Sequence, residues 1–375
     1  MHYFDNAATT KPDEQALNTF NKVNQNYYFN TASIHSAGRD SEKLLEASRK
    51  QVLDIFGLPN HHCVFTSGAT ESNNIAIQST LNRKKRFGST ILISQLEHPS
   101  VINVVDHYRS EGFNVKFIKT TEQGRVDVDH LRKLMDEDVI FVTVMAVNNI
   151  VGAVQPIQEI AEILKGFPKA HFHVDATQAV GKVEINYENV DTLSISGHKF
   201  HGVKGSGALI TRELKTMPPI FFGGGHEYNL RSGTVNLPAV AAMAKALRLS
   251  HENTDNISGK IEEYNQSIRN ALAEHRSIVI QPGDVPHILN LSYVGAKGEV
   301  AVNALSEKGI MVSTTSACAS KLATLNETLT AMGQSVDVIN GSIRISMSKD
   351  TEEKDVDMLI KGLKEVYEEI GDVLI

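Results

Sequence analysis

One lysine of this sequence lies in a turn made largely of small residues. Lys199 belongs to SISGHKFHGVKGSGAL (residues 194–209), which contains four glycines and few bulky side chains. A lysine amine can condense with a carbonyl compound to form a Schiff base, and small neighbours would leave room for a ligand. The ordinary alternative is a solvated loop lysine, and for Lys199 taken alone that interpretation is the better one. Lys204 of the same turn is interpreted as structural or solvated.

Two more residues that could take part in chemistry follow apolar stretches elsewhere in the chain. Asp175, in HVDATQ, could hold a cationic ring nitrogen through a charge-assisted hydrogen bond. The alternative is a helix N-cap, which Asp175 alone would favour. His98, in LEHPS, could stack on an aromatic ring or act as an acid or base, although a lone histidine is usually structural. Neither residue alone indicates an activity.

The segment TSGAT (residues 66–70) has the form of a phosphate cradle at the start of a helix. Gly68 and Ala69 would let backbone N–H groups approach an anion, Thr70 would add a hydroxyl, and the helix N-terminus would add its dipole. A helix that merely starts with small residues is the alternative, at even odds. The segment matches neither the Walker nor the dinucleotide-binding glycine motif, so a nucleotide is not specifically indicated.

Apolar strands that alternate with helices must position these residues. The predicted strands are HHCVFT, STILISQLEH, NVKFIKT, DVIFVTVMAVN, AHFHVDA, VDTLSISG and GALITRE, and helical patterns such as PSVINVVDHYRSEG and PIQEIAEILKGF lie between them. This alternation predicts a mostly parallel sheet covered on both faces, of the α/β class. Ligands of such sheets bind beyond the carboxyl ends of the strands, which is where TSGAT, LEHPS, VNN, VDATQ and SGHK fall.

The pattern changes near residue 236. A long helical stretch (residues 237–275) is followed by the strands HILNLSYV and GSIRISMS and by a C-terminal helical pattern. We therefore predict a large domain over residues 15–250, and a smaller α+β domain that combines residues 1–14 with residues 251–375.

Composition excludes several classes of protein. The 375 residues include 37 Lys and Arg against 44 Asp and Glu, a net charge of −7, which argues against nucleic-acid binding as the main activity. Cys63 and Cys318 have neither disulfide-framework nor metal-site spacing, so no metal site is predicted. The first residues do not resemble a signal peptide, and no apolar run approaches the length of a membrane span. A cytoplasmic protein that does not bind membranes is the expectation.

Together, the strand-end residues provide four groups that could bind one ligand. They are a phosphate cradle, a flat stacking partner, an anion for a ring nitrogen and an amine that can form an imine. These are the groups that pyridoxal 5′-phosphate (PLP) requires of a protein. The combination favours a PLP enzyme, although each residue alone favoured a structural interpretation.

The sequence resembles the cysteine desulfurases of the class V aminotransferase group of fold-type I PLP enzymes. The matching pieces follow in the family's order over residues 3–346, and they are YFDNAATT, ASIHSAGR, FTSGATESNN, EHPSV, MAVNN, HVDATQAVGK, SGHKFHGVKG, GGGHEYNLRSGT, SACAS and IRIS. The resemblance implies a PLP-dependent transferase fold with a mostly parallel seven-stranded sheet between helices and a smaller α+β domain.

The resemblance also implies a role for each matching residue. Lys199 would carry the PLP imine and later move the Cα proton of the substrate, Asp175 would pair with the pyridine nitrogen, and His98 would stack on the ring. Contacts to the ring oxygen or to substrate are implied for Gln178 and Asn149, and phosphate contacts for Thr70, Ser196 and His198. Arg344 would bind the substrate carboxylate, and Asn30 would lie near the substrate. Thr234 would reach the phosphate in the other subunit, which implies a homodimer with shared sites.

Cys318 separates a desulfurase from an aminotransferase. It lies in VSTTSACASKLATLNETL, a stretch rich in Ser, Thr and Ala. An unreactive surface thiol is what the sequence alone would favour, whereas the resemblance implies a nucleophile that attacks the sulfur of the substrate as a thiolate. Cys63, inside an apolar strand, is expected to be inert core.

The implied activity converts L-cysteine to L-alanine and leaves a persulfide on Cys318. The sulfur would pass to an acceptor protein for iron–sulfur clusters, tRNA thiolation or thiamine. The alternatives are a selenocysteine or cysteine sulfinate lyase, a class V aminotransferase, against which Cys318 argues, and a non-catalytic scaffold. The sequence departs from the family pattern at Phe29, Thr31, Ile150 and His226 and in the KLATLNETL segment, and these departures bear on turnover and partner choice.

Overall fold

The computed structural model describes residues 1–315, 326–371 and 374. The strands are β1 (His2–Tyr3), β2 (His62–Thr66), β3 (Thr90–Ser94), β4 (Asn114–Ile118), β5 (Val139–Met145), β6 (His171–Asp175), β7 (Thr192–Ser196), β8 (Gly207–Thr211), β9 (Ile278–Ile280), β10 (Ile288–Tyr293), β11 (Ile310–Met311), β12 (Ser313–Thr314) and β13 (Ser342–Ser346). The helices are α1 (Glu14–Asn26), α2 (Ser36–Phe56), α3 (Ala69–Lys84), α4 (Pro99–Ser110), α5 (Val128–Leu134), α6 (Ile157–Leu164), α7 (Leu237–Glu252), α8 (Thr254–Leu272), α9 (Gly298–Glu307), α10 (Glu327–Ala331), α11 (Val336–Asn340) and α12 (Glu353–Glu369).

The central sheet has seven strands in the order β2-β8-β7-β6-β5-β3-β4. Strands β3 to β7 pair in parallel, and β8 runs antiparallel to both of its neighbours, β2 and β7. The mostly parallel seven-stranded sheet predicted from the sequence is therefore confirmed. Since β2 runs in the same direction as β3 to β7, the carboxyl ends of all these strands meet at one edge.

Both faces of the central sheet are covered, as the continuous apolar strands predict. Successive residues of a strand face opposite sides. Leu92 of β3 accordingly joins the large core cluster that includes residues of α1, α2 and α7. Its neighbours Ile91 and Ile93 pack instead with residues of α3 and α4. This burial makes the sheet a rigid support for side chains at its carboxyl edge.

The C-terminal part has its own antiparallel sheet in the order β12-β13-β10-β9. The N-terminus joins it: β1 pairs with β11, Asp5 forms a bridge with Ser346, and Phe4 is buried in the core cluster of α8 and α12. These contacts agree with assigning residues 1–14 to the smaller domain, but the division at residues 14 and 250 stays a prediction.

The long helical stretch near residue 250 is two helices rather than one. Helix α7 ends at Glu252 and α8 begins at Thr254, with Asn253 between them at φ −117° and ψ 5°. The Asn253 side chain donates to the carbonyl of Leu249, which is the local competition that makes asparagine a poor helix residue. Among the described residues, none of the helices has the length and apolar character needed to cross a membrane.

Candidate active site

A cavity of about 610 Å³ lies at the carboxyl edge of the central sheet. Its volume is in the range of small-molecule sites. The predicted site residues in its lining are Ala69, Thr70, His98, Asn149, Asp175, Gln178, Ser196, His198, Lys199 and Arg344. The fold thus brings together residues that are up to 275 positions apart, since Ala69 and Arg344 share this cavity.

Lys199 follows strand β7, in a single helical turn over residues 197–199. Its Nζ donates to the backbone carbonyls of Ala7, at 2.6 Å, and Ala8, at 2.9 Å. Burial and the positive charge of Arg344 lower the pKa of Lys199 to about 8. Near neutral pH about a tenth of this amine is therefore uncharged, far more than for an ordinary lysine, and the uncharged form is the one that attacks a carbonyl.

Asp175 is the last residue of β6 and is only 5% exposed. Its Oδ1 accepts from the backbone N–H of Thr177, and its Oδ2 accepts from the side-chain amide of Asn73 at 2.8 Å. These donors stabilise the carboxylate. A turn rather than a helix follows Asp175 in this structure, so the helix N-cap suggested by the sequence does not describe it.

His98 is the N-cap of helix α4, and its ring geometry determines its tautomer. Nδ1 accepts from the backbone N–H of Ser100 at 3.1 Å and lies 2.8 Å from the hydroxyl of Ser100. Since Nδ1 carries the acceptor lone pair, the neutral ring has its proton on Nε2. Burial lowers the pKa of His98, so the ring presented to the cavity is uncharged.

Gln178 joins the cavity to a second half-buried lysine. Its Nε2 donates to the carbonyl of Ala7 at 2.8 Å, and its Oε1 accepts from Nζ of Lys182 at 3.2 Å. Burial and the charges of Lys199 and Arg344 lower the pKa of Lys182 to about 7. Since Nζ of Lys182 donates to the oxygen of Gln178, the amide N–H groups of Gln178 point away from Lys182, and one of them donates to the carbonyl of Ala7.

Arg344 projects from β13 and is held at both of its terminal nitrogens. One donates to Asp5 Oδ1 at 2.9 Å and the other to the carbonyl of Asn149 at 3.0 Å. The Nε atom is buried and has no hydrogen-bond partner among the described residues. The cavity is thus lined by a guanidinium whose orientation two hydrogen bonds fix, and a planar cation of this kind suits a carboxylate ligand.

The opposite end of the cavity resembles an anion site. Helix α3 begins at Ala69, and Thr70, Ser196 and His198 line the same region. Strand β8 approaches the loop before α3 closely, because a Cβ added at Gly207 would lie 2.5 Å from the Cα of Gly68. Burial together with Lys199 and Lys204 lowers the pKa of His198 to about 4, so His198 is a neutral polar group here.

The model of the family Aminotransferase class-V matches residues 2–359 of the chain. The chain belongs to the class-V aminotransferase family. It is 40% identical over 380 residues to the NifS/IcsS protein homolog of Lactobacillus delbrueckii subsp. bulgaricus, a match that covers 100% of this chain and 99% of that protein. It is 34% identical over 375 residues to cysteine desulfurase IscS 1 of Archaeoglobus fulgidus, with 99% and 98% covered. A solved structure named NifS-like protein is 32% identical, has a TM-score of 0.90, and covers 99% of each chain.

Membership of the class-V family confirms the resemblance and the fold predicted from the sequence. The roles assigned to individual residues stay predictions, although ten of these residues line one cavity. Asn30 and Thr234 are not among the described residues that line it. Both are exposed and lie in loops: Asn30 between α1 and α2, and Thr234 before α7. Cys318 lies outside the described residues.

Several residues near the cavity were missed by the sequence analysis. Asn73 bonds Asp175, Asp5 bonds Arg344, and Glu97 accepts from the backbone N–H of Met145 at 2.6 Å while burial and Asp175 raise its pKa to about 8. Lys204, interpreted as structural or solvated, is exposed but lines the cavity. The sequence could have indicated these residues, because each lies inside one of the family motifs quoted above, close to a residue that was assigned a role.

The departure at Ile150 from the usual acidic residue has a local reason in the structure. Ile150 is half-buried and packs on an apolar cluster that includes Val151, Leu329 and Met332. A carboxylate there would lose hydration without a buried partner. Cys63 is fully buried in β2, and burial raises the pKa of its thiol, so the expectation of an inert core cysteine agrees with the structure.

Proposed function

We propose that this class-V family member is a PLP-dependent cysteine desulfurase, which converts L-cysteine to L-alanine and keeps the sulfur as a persulfide on Cys318. The observation that carries the proposal is the single cavity lined by Lys199, Asp175, His98 and Arg344. An imine-forming amine, a ring-nitrogen partner, a stacking ring and a carboxylate clamp are what such chemistry needs. The relative from Archaeoglobus fulgidus is itself named a cysteine desulfurase.

The residues of the cavity fit PLP. Lys199 is a half-buried amine with a lowered pKa, Asp175 is a buried carboxylate, and the start of α3 offers backbone N–H groups to a phosphate. His98 would stack on the ring, Gln178 and Asn149 would contact the ring oxygen or substrate, and Thr70, Ser196 and His198 would contact the phosphate. When bound, PLP supplies an electron sink that accepts electrons from the substrate Cα.

The residues of the chain would act on substrate in a defined order. Arg344, already held by Asp5 and the Asn149 carbonyl, would bind the carboxylate of cysteine and fix its orientation. Lys199 Nζ, once it has exchanged its place for the amino group of the substrate, would take the Cα proton. Asp175 would pair with the ring nitrogen, and the Asn73 amide and the Thr177 N–H, which donate to its two oxygens, would hold its carboxyl group in place.

Cys318 would complete the reaction as a thiolate that attacks the substrate sulfur. One S–S bond forms, the Cβ–S bond breaks, and its electron pair with a proton completes the methyl group of alanine. The balance is one cysteine and one thiol in, one alanine and one persulfide out, with no added oxidant. The persulfide sulfur would then pass to an acceptor protein for iron–sulfur clusters, tRNA thiolation or thiamine.

A homodimer with shared sites is part of the proposal. Asn30 and Thr234 lie outside the lining of their own cavity, and each belongs to a segment with strongly exposed apolar side chains. Ile34 is 90% exposed and Phe222 is 87% exposed. Burial of these apolar side chains against another chain would be favourable, so we expect these segments to meet a second copy and Thr234 to reach its PLP phosphate. The cytoplasmic location expected from the sequence belongs to the same proposal, and cell fractionation tests it.

The deciding experiment measures sulfide and alanine from L-cysteine in the presence of a reductant. The purified protein should be yellow, with an absorbance band at about 420 nm from lysine-bound PLP. Cys318→Ala should abolish sulfide release without changing this band, and Cys63→Ala is the matched control that should keep activity. Protein that cannot take up PLP would overturn the proposal, and full activity in Cys318→Ala would overturn the assignment of the nucleophile. Selenocysteine in the same assay tests the lyase alternative.

A further inference from the structure

A continuous chain of hydrogen bonds leads from Asp175 through the sheet to a charged cluster at its opposite edge. Its first member is Asn73, which is fully buried in α3. The Asn73 amide donates to Asp175 Oδ2 at 2.8 Å and to the hydroxyl of Ser100 at 2.9 Å. Ser100 must give its own proton to Nδ1 of His98, which already accepts a backbone N–H. Two acceptors on the cavity side therefore fix the NH₂ group of Asn73 toward Asp175.

This orientation dictates the next tautomer. The Asn73 oxygen lies 3.0 Å from His173 Nε2, so Nε2 must carry a proton and donate it. Burial lowers the pKa of His173, so its ring is neutral and its Nδ1 is an acceptor. The Thr192 hydroxyl, 2.9 Å from that Nδ1, must therefore donate to His173.

The chain ends at a histidine between two acceptors. Thr192 has used its proton, so it accepts from His171 Nε2, at 2.8 Å. The other ring nitrogen of His171 lies 2.9 Å from a carboxylate oxygen of Glu213. Burial favours a protonated Glu213, but the hydrogen bonds from His171 and Arg83 outweigh it and bring the pKa of Glu213 well below its usual range. Both nitrogens of His171 thus face acceptors, which only an imidazolium satisfies.

Aromatic packing supports a positive charge on His171. The ring of Phe141 stacks on it with centroids 5.5 Å apart and an interplanar angle of 6°, and an aromatic face attracts a cation. His171 is fully buried, so its charge requires the ion pair with Glu213.

We propose that this chain is a relay that positions Asp175 for the PLP ring and stores its compensating proton on His171. The Asp175 relay consists of Asn73, His173, Thr192, His171 and Glu213. If every hydrogen bond between Asp175 and His171 reversed and Asn73 turned over, while His171 still donated to Glu213, the same number of protons would leave Asp175 protonated and His171 neutral. The ion pair between His171 and Glu213 favours the arrangement derived above, in which His171 is an imidazolium and Asp175 is a carboxylate. The relay residues are positioning residues, and their function rests on the proposed PLP chemistry.

The protonation pattern is tested by NMR of the ring nitrogens in ¹⁵N-histidine-labelled apoprotein at neutral pH. The signals are assigned by their loss in His171→Gln and His173→Gln. We expect His171 to be protonated on both nitrogens and His173 on Nε2 alone. In Glu213→Gln the new amide can donate to Nδ1, so His171 should become neutral with its proton on Nε2, while His173 stays unchanged. A neutral His171 in the unmodified protein, or no change in Glu213→Gln, would overturn the relay.

The effect on the cofactor is tested by the PLP affinity of the apoprotein. Thr192→Val removes the central hydroxyl and should raise the PLP dissociation constant by about tenfold, whereas Thr192→Ser should restore it to within about twofold. The matched control is Thr143→Val, since Thr143 is buried in β5 and its Oγ1 has no hydrogen-bond partner within the described residues. Equal affinities for Thr192→Val and Thr143→Val would overturn the positioning role. If the unmodified protein binds no PLP, the proposed function fails, and NMR still decides the relay.

Discussion

At the scale of single residues, one cavity is lined by a half-buried amine and a buried guanidinium. Lys199 donates to two carbonyls that both come from the N-terminal segment, while Arg344 lowers its pKa through charge repulsion. The balance of these effects sets how readily the amine loses its proton. We therefore predict that these two residues together determine cofactor uptake and substrate binding.

PLP uptake should follow the protonation of Lys199. As pH rises, more of the amine is uncharged, so we expect the rate of PLP incorporation into apoprotein to rise and to level off above about pH 8, the pKa of Lys199. Arg344→Gln should move the midpoint to higher pH because it removes a nearby positive charge, whereas Asp175 and Asp5 act in the opposite direction. The measurement is the growth of the lysine–PLP absorbance band at each pH.

Lys204→Gln is the matched control for that pH profile. Lys204 is exposed at the same cavity, and it is absent from the charges that shift Lys199. The pH midpoint of PLP incorporation in Lys204→Gln should equal that of the unmodified protein. A rate independent of pH between about 6 and 9 would contradict an uptake step controlled by this amine.

Substrate affinity should depend on the shape of the Arg344 side chain, not on its charge alone. Arg344→Lys keeps the charge but loses the planar fork, and a hydrogen bond to a carboxylate contributes about 1.5–3 kcal/mol. We expect KM for L-cysteine to rise by about tenfold or more with an unchanged PLP spectrum. Arg125→Lys, at an exposed ion pair with Asp284, is the control and should leave KM unchanged. Equal KM values in the two variants would exclude Arg344 as the carboxylate clamp.

At the scale of elements, strand β8 supports the loop that begins helix α3. It can do so because Gly207 has no side chain: an added Cβ would lie 2.5 Å from Gly68 Cα and 2.7 Å from the carbonyl oxygen of Ile195. Neither contact is with a flexible side chain, so the backbone itself would have to move. The strand thereby controls where the first N–H groups of α3 lie.

Gly207→Ala should therefore weaken both the fold and PLP binding. Overpacking of this kind costs about 1–3 kcal/mol, and displacement of the loop before α3 should raise the PLP dissociation constant. Gly259→Ala is the control, since Gly259 lies in α8 with open space around its Cα. That substitution should stabilise the protein by up to about 1 kcal/mol. Denaturant unfolding and PLP titration measure both effects, and unchanged PLP affinity in Gly207→Ala would refute the coupling.

At the scale of the whole molecule, a shared site predicts that two inactive variants can restore activity together. Lys199→Ala removes the amine of its own cavity, and Thr234→Trp should block the site of its partner. In mixed dimers one cavity combines an intact Lys199 with an intact Thr234, so a mixture of equal parts should recover about a quarter of the normal activity per protein. The assay is sulfide release after co-refolding or co-expression.

A second mixture controls for this result. Lys199→Ala combined with Arg344→Ala should recover nothing, because both residues line the same chain's cavity and no dimer would contain an intact site. Recovery in both mixtures, or in neither, would contradict the assignment of Thr234 to the partner's site.

The sequence by itself determined the class of fold and predicted ten residues that the structure brings into one cavity. The alternation of apolar strands and helices predicted the sheet because burial on both faces demands continuous apolar strands. Lys199, Asp175 and His98 could be identified since each follows a strand and lies in a family motif. The sequence pattern did not show where α7 ends and α8 begins, because the break at Asn253 depends on one side chain that competes with the helix backbone.

Only the tertiary structure decided how these residues are held. The partners of Lys199 are the carbonyls of Ala7 and Ala8, and backbone atoms leave no trace in side-chain patterns. Asp175 depends on Asn73, 102 positions away, and through it on the fully buried His171. Such pairings arise where distant segments pack together, and the tautomers and charges they impose follow from which donor meets which acceptor. Local sequence specifies the strands and helices, whereas hydrogen bonds between distant segments of the folded chain specify the geometry of the site.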